Sequence, residues 1–358
     1  MYRLVRPILF SLPPELSHSL AMDALRWWEE LLFAHRVATN SDRTLDDNAS
    51  KIAKQGSTPF HMFGVPTHSQ VGLAAGFDKN GEVPLALQSL GFGFLELGTV
   101  TNLSQAPNPS PNLFRLPLDR ALINRLGFPN QGARAFRETL QPKRSQIKVP
   151  LGISIGKSRA IDVEDEKAVL ADYLACFREV RALADFVVVN VSSPNTVGLR
   201  SLQSIDRAKK LLETLQEANR DASVPLLLKV APDLPLEEAA LLFEALRENE
   251  WAGVVATNTT LSREGLRTED SVVRRIGAGG LSGPPVFSKM LSIVSLARST
   301  LGRDATIIGV GGITTGDDAK RVLEAGANFI QVYTALIYEG PSVARRLTEH
   351  LAKTARSS

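Results

Sequence analysis

The sequence predicts an α/β fold, a closed (β/α)8 TIM barrel with a small N-terminal helical extension. Short apolar runs rich in β-branched residues recur eight times from residue 71 onward. Each is followed by a stretch with helical spacing. The first run leads into GFDKNGE (76–82), which lacks the Gly-x-Gly-x-x-Gly turn of an open dinucleotide-binding sheet. Apolar runs of four to eight residues without alternation are what strands buried on both faces look like. Eight strand–helix units over roughly 290 residues suit a closed barrel better than an open sheet.

Taken in order, residues 1–36 read as helix. Residues 38–58 (ATNSDRTLDDNASKIAKQGST) are polar and poor in large apolar groups, which suggests a linker or surface loop. The strands are expected at 71–75, 93–97, 149–155, 186–191, 225–230, 253–257, 306–310 and 328–333. The clearest helical stretches are 165–184, 203–220, 235–250, 285–301, 316–326 and 341–355. The Pro-rich segment 102–124 is too long for a simple βα loop and reads as an insertion over the barrel mouth. The expected organisation is therefore an amphipathic helical region (1–37), a linker (38–58) and the barrel (59–358).

Composition removes several classes. With 44% apolar and 22% charged residues, the chain is neither disordered nor collagen-like. A net charge of +3 is too even for a concentrated nucleic-acid-binding face. One cysteine excludes a disulfide scaffold, and one cysteine with five scattered histidines makes a zinc site implausible, so no metal is expected. Cys176, inside YLACFREV, reads as a packed core thiol that suits a reducing compartment. No run of 18 apolar residues exists to span a membrane. PILFSLPP is too short and Pro-rich for a signal-peptide core, so no cleaved segment is expected.

Barrel chemistry sits where strands end. The polar residues collect there: Lys79, Thr99 and Thr101, then Asn190 to Thr196, Lys229, Thr257 to Thr260, Gly311 and Gly312, Tyr333 and Thr334. GVGGI (309–313) and GGLSG (279–283) supply glycines that let backbone N–H groups approach a phosphate, although a tight turn would need glycine as well. Lys229, set in PLLLKVAPD, needs an anionic partner if buried. It can be a Schiff-base lysine, a cation against an electron-rich ring, or half of a structural salt bridge. NVSSPNT (190–196) offers amides that match alternating N–H and C=O groups, or forms an ordinary polar turn. A serine there acts as a base only if its proton has a way out.

Nine stretches together are similar to the dihydroorotate dehydrogenases, in particular the quinone-linked, membrane-associated class 2 branch. They are GLAAGFDKNGE (72–82), ELGTVT (96–101), LFRLP with INRLGF (113–128), NVSSPNT, LKVAPD (228–233), ATNTT (256–260), GGLSG, IIGVGGI (307–313) and QVYTALIYEGP (331–341). The resemblance covers nearly the whole chain and implies FMN at the barrel mouth. It assigns flavin contacts to Ala75, Gly76, Lys79, Thr99, Asn190, Lys229 and Thr257, and the phosphate end to Gly283, Gly312, Tyr333 and Thr334. Substrate contacts fall on Lys79, Asn124, Arg125, Gly127, Phe128, Asn190, Asn195, Asn258 and Thr259. Ser193 matches the catalytic base, with Thr196 and Phe128 on the proton-exit path. One motif departs: GISIGKS (152–158) places Ser154 and Ser158 where the family usually has asparagines, so the Ser154 flavin contact is shorter in reach.

The N-terminal region carries leucines, phenylalanines and tryptophans in short helices, which suits an interfacial amphipathic element or a helical cap on the barrel. The resemblance implies a quinone tunnel there, with His18, Arg115 and Tyr333 at its head-group end. The implied reaction is oxidation of (S)-dihydroorotate to orotate in pyrimidine synthesis, by a monomer held peripherally at the cytoplasmic side of the inner membrane. The competing readings are a soluble FMN barrel using fumarate or NAD, a flavin-free Schiff-base lyase, and a non-catalytic peripheral membrane protein.

Overall fold

The computed structural model describes residues 2–39 and 60–355; most of the expected linker, 40–58, lies outside the described residues. Two helices open the chain, α1 (Tyr2–Ser11) and α2 (Pro14–Thr39). The sequence reading gave 1–36 as helical, in short helices, without stating where one ends and the next begins. Pro13 and Pro14 divide them, because neither supplies an N–H and Pro14 is preset for a first helical position.

A hairpin of β1 (Phe60–Met62) and β2 (Val65–Thr67) follows, which the sequence reading did not anticipate. Its two-residue loop, Phe63-Gly64, has positive φ at both positions, the twist that short hairpins favour. The barrel strands are β3 (Val71–Leu73), β4 (Phe94–Thr101), β7 (Leu151–Gly156), β8 (Phe186–Asn190), β9 (Leu226–Val230), β10 (Gly253–Ala256), β12 (Thr306–Val310) and β13 (Phe329–Val332). They pair in parallel in chain order and close β13 onto β3. All eight predicted strands are barrel strands. The outer helices coincide with the predicted stretches; Glu166–Val180 begins at the Asp165 cap and Gly316–Glu324 at a Thr315/Asp318 capping box.

The segment 102–124 is more ordered than a loop. Within it β5 (Leu113–Leu116) and β6 (Ala121–Asn124) form a hairpin, and β11 (Gly280–Ser282) pairs with β6 to make a three-stranded antiparallel sheet over the mouth. Such pairing joins residues more than 150 positions apart, beyond any local pattern.

The barrel's lower half is apolar. Phe94, Phe186, Val188, Leu227, Val255, Ile308 and Phe329 fill it, and Met62 and Phe63 of the hairpin plug it from below. Glycine makes room for the aromatics. A Cβ at Gly152 would lie 2.3 Å from the Phe186 ring on the neighbouring strand, and one at Gly72 would lie 2.4 Å from Phe94. Above this layer the interior turns polar, with Glu96, Lys229 and Gln331 buried in one network.

α1 and α2 dock on the mouth side through specific polar contacts. Glu15 accepts the Asn112 N–H at 2.8 Å, Arg115 Nη1 donates to the Leu12 carbonyl at 2.8 Å, and Glu29 accepts the Ala86 N–H at 2.6 Å. Leu4, Ile8 and Trp27 point away from the barrel and are 80%, 66% and 64% exposed. No helix among the described residues is long and apolar enough to cross a membrane.

Candidate active site

A cavity partly open to solvent lies at the C-terminal ends of the strands. Parallel strands end there with their last side chains aimed at the axis, so residues distant in sequence converge. Its wall includes Ala75, Gly76, Lys79, Thr99, Asn124, Gly127, Phe128, Asn190, Ser193 and Asn195 from the first half of the chain. Lys229, Thr257, Asn258, Thr259, Gly283, Gly312, Tyr333 and Thr334 complete it from the second half.

Hydrogen bonds hold the amides in fixed orientations. Asn190 Nδ2 donates to Thr99 Oγ1 at 3.1 Å, while Asn190 Oδ1 accepts from Ser192 Oγ at 3.0 Å and from Asn258 Nδ2 at 3.3 Å. Asn195 Nδ2 donates to Asn124 Oδ1 at 3.0 Å. Ser193 is 4% exposed, and its Oγ accepts the Asn195 N–H at 3.2 Å, which leaves its proton free to point elsewhere. Tyr173, unforeseen from the sequence, donates to the Asn190 carbonyl at 3.0 Å from the outer helix and steadies the end of β8.

The anion that Lys229 needs is Glu96. Lys229 Nζ lies 3.2 Å from Glu96 Oε1, and Gln331 Nε2 donates to Glu96 Oε2 at 2.7 Å. Lys229 still lines the cavity, so the pair sits just below the floor. An ion-paired ammonium is not a nucleophile, which argues against the Schiff-base alternative. Glu96 and Gln331 were missed as site residues; the acid interrupting the apolar run GFLELG was the available signal.

Lys79 is different. Burial depresses its ammonium to about 8, partly opposed by Asp78 and Glu82, and it has no hydrogen bond or ion pair among the described residues. Thr259 Oγ1 and Gln331 Oε1 are also buried at this cavity without partners among the described residues. A half-buried cation, an unpartnered hydroxyl and an unpartnered amide oxygen around one space fit a ligand that carries both an anionic group and N–H donors. After β11 and β12, Gly283 and Gly312 have φ of +104° and +74°. A Cβ at Gly312 would approach the Gly283 carbonyl to 2.9 Å, so backbone alone forms that wall. Thr334 Oγ1 donates to Ser282 Oγ at 2.9 Å beside it. This rim fits a phosphate-bearing group.

Several expected residues stand back from the cavity. Ser154 is fully buried and hydrogen-bonds Thr99 Oγ1 at 2.9 Å instead of lining the wall. Ser158 Oγ donates to Asp172 at 2.7 Å, deeper in the barrel wall. The Arg125 guanidinium turns outward, donating to the Ile276 carbonyl at 2.6 Å and lying over Phe114. Thr196 is buried with Oγ1 unpartnered among the described residues, outside the lining. Arg115 caps the end of α1 over the Phe10 ring, 4.6 Å from its centroid. His18 stacks edge-on against Phe77 at 5.5 Å, and Phe77 meets Tyr333 at 6.3 Å. Of the three residues expected at the quinone site, only Tyr333 reaches the cavity, with His18 joined to it through Phe77. Burial, with smaller contributions from Lys79 and Arg26, lowers His18 to about 3 and keeps it neutral.

A family model described as dihydroorotate dehydrogenase matches residues 60–354. A protein named dihydroorotate dehydrogenase (quinone) from Rhodococcus opacus (strain B4) is 42% identical, over 100% of this chain and 96% of its own length. One of the same name from Clavibacter sepedonicus is 44% identical over 99% of each. A crystal structure of DHODH in complex with ferulenol from Eimeria tenella is 32% identical, with a TM-score of 0.80, over 98% of this chain and 95% of that one. The matched segment spans all eight barrel strands and every element that lines the cavity, so the chain belongs to the dihydroorotate dehydrogenase family.

Proposed function

We propose that this protein oxidises dihydroorotate to orotate with FMN at the barrel mouth and passes the electrons to a quinone. The observation that carries this reading is the single cavity that joins Ser193, four fixed asparagines, the unpartnered Lys79 and the glycine rim. FMN, when bound, supplies the acceptor for the C6 hydride of the substrate. Gly283, Gly312 and Thr334 would hold its phosphate end, and Thr99, Asn190, Lys229 and Thr257 would lie along its ring and ribityl parts. The Lys229 cation favours negative charge at that position.

The protein's own residues do the rest. Asn124, Asn190, Asn195 and Asn258 pair with the alternating donors and acceptors of the pyrimidine ring and fix its rotation. Lys79 holds the substrate carboxylate. Ser193 Oγ takes the C5 proton from the face opposite the acceptor. Thr196, three residues on and buried with a free Oγ1, together with Phe128 on the cavity wall, supports a route for that proton outward.

The quinone would approach from the α1–α2 side, where His18, Phe77 and Tyr333 form a continuous aromatic contact to the cavity. The exposed Leu4, Ile8 and Trp27 support attachment of these helices to the surface of a bilayer, peripherally and without a spanning helix. The expected site of that attachment is the cytoplasmic face of the inner membrane, and the unit of function a monomer.

The test is anaerobic and direct. Purified protein should be yellow, and dihydroorotate should bleach it in a single turnover. Ser193→Ala should retain the colour and bleach at least about a hundredfold more slowly, the scale of a lost general base. Bleaching at the wild-type rate would remove Ser193 from the role. Deletion of residues 1–36 should spare bleaching and cut turnover with a quinone.

A further inference from the structure

The loop that carries Ser193 leaves β8 and runs through residues 191–198 before a short 3-10 helix, Leu199–Gln203, leads into the helix Ile205–Asn219. Its position relative to the rest of the mouth therefore depends on what pins it. Asn258 Nδ2 donates to Ser192 Oγ at 3.0 Å, and one further side chain ties the loop to two other strand ends at once. Arg200 lies outside the cavity lining, yet its three guanidinium nitrogens each bond a different partner. Nε donates to the Ser192 carbonyl at 3.0 Å, Nη1 to Asp233 Oδ2 at 2.9 Å and Nη2 to the Thr259 carbonyl at 2.8 Å.

These partners sit on three separate strand ends. The Ser192 carbonyl belongs to the peptide from which Ser193 rises, after β8. Asp233 follows β9. The Thr259 carbonyl belongs to the segment after β10 that presents Asn258 and Thr259 to the cavity. Asp233 is itself held: Oδ2 also accepts the Leu261 N–H at 2.8 Å, Oδ1 accepts from Thr260 Oγ1, and Lys289 Nζ lies 3.4 Å from Oδ1. Burial works against its charge, but the bonds from Thr260, Leu261 and Arg200 hold its carboxyl below the ordinary range. The carboxylate thus fixes the rotation of the guanidinium, and the guanidinium fixes the spacing of the two loops.

We infer that Arg200, oriented by Asp233, is a positioning residue that sets the distance between the base loop at Ser193 and the substrate loop at Asn258–Thr259. This rests on the dehydrogenase reading above for its chemical consequence, and not for the clamp itself. A planar fork is required. Lysine would keep the charge, but its three N–H bonds radiate from a single nitrogen, which cannot span three acceptors on three loops. Proton removal is sensitive to such spacing, since a misplacement near 1 Å can cost about a hundredfold in rate.

The experiment uses the full chain with its bound flavin and three variants, Arg200→Lys, Asp233→Asn and the double variant. Arg200→Lys should slow anaerobic bleaching by dihydroorotate about thirtyfold, within the range set by that sensitivity. Reoxidation of the reduced enzyme by a soluble quinone should stay within about twofold, because that half-reaction does not use the Ser193 loop. The double variant should be no slower than Arg200→Lys by more than about twofold, as expected for two groups acting as one unit. Amide hydrogen exchange at residues 191–198 and 258–261 should rise together in each variant while the other barrel strands stay protected. Bleaching within twofold of wild type in Arg200→Lys, or equal slowing of both half-reactions, would overturn the inference. Unchanged exchange in the two loops would overturn the clamp whatever the reaction proves to be. Failure of dihydroorotate to bleach the wild-type protein would instead remove the dehydrogenase reading, leaving the exchange result to decide the clamp.

Discussion

Glu96→Gln is the perturbation whose cost follows most directly from the structure. The Glu96 side chain is wholly buried and Lys229 is 6% exposed. The carboxylate has two acceptor oxygens and uses both, Oε1 for Lys229 at 3.2 Å and Oε2 for Gln331 at 2.7 Å. A glutamine supplies one acceptor and one donor. It therefore leaves either the ammonium or the Gln331 amide facing a donor, and leaves the ammonium buried without a counter-charge. Breaking a buried pair in this way costs about 3–5 kcal/mol. At about 2.1 cal/mol/K per residue over roughly 300 ordered residues, the thermal midpoint should fall by about 5–8 °C. Urea unfolding at pH 7, followed by tryptophan fluorescence, should show the midpoint shift with an unchanged slope. Adding Lys229→Met should recover most of the loss, because an uncharged pair no longer demands solvation. A single variant within 1 kcal/mol of wild type, or a double variant worse than either single one, would refute the assignment of Glu96 as the counter-ion.

Three further outcomes follow from the same reasoning. Burial raises the Glu29 carboxyl to about 7, despite the Ala86 N–H and Lys143, 3.5 Å away. The folded state thus holds that proton more tightly than the unfolded state, so stability is full below about pH 4.5 and is lost as pH rises through about 7, by roughly 3 kcal/mol at most. Glu29→Gln should flatten this limb of the stability–pH curve, and a curve of unchanged slope would count against it. Lys79 is cationic below about 8, so orotate affinity should be level from pH 6 to 7.5 and weaken above about 8 in a fluorescence titration; constant affinity to pH 10 would separate Lys79 from the carboxylate. Gly280→Ala would set a Cβ 2.0 Å from Thr259 Oγ1 and 3.1 Å from Pro194. That overpacking, worth about 1–3 kcal/mol, should raise the orotate dissociation constant about tenfold or more without releasing flavin.

The barrel is legible in the amino-acid order alone. Strands buried on both faces must be apolar along their length, so runs such as FVVVN and TIIGV declared themselves, and the helices between them carried local periodicity and caps. The same order also determines which side chains stand at the mouth, because a residue's place at a strand end is a local property. The resemblance added roles to those places, and Ser193, Asn190 and Lys79 do meet at one cavity. Pairing across distance emerges only in the folded chain. The partnership of Lys229 with Glu96 spans 133 residues, and β11 reaches β6 across more than 150. Nothing near Arg200 in the chain announces that its guanidinium joins Ser192, Asp233 and Thr259. Arg125 and Ser154 show the converse, since their places in the chain were right while their side chains turned to backbone carbonyls and to Thr99. Local pattern reports burial and backbone preference; which buried polar group satisfies which other is settled only when closure of the barrel brings them within hydrogen-bond reach.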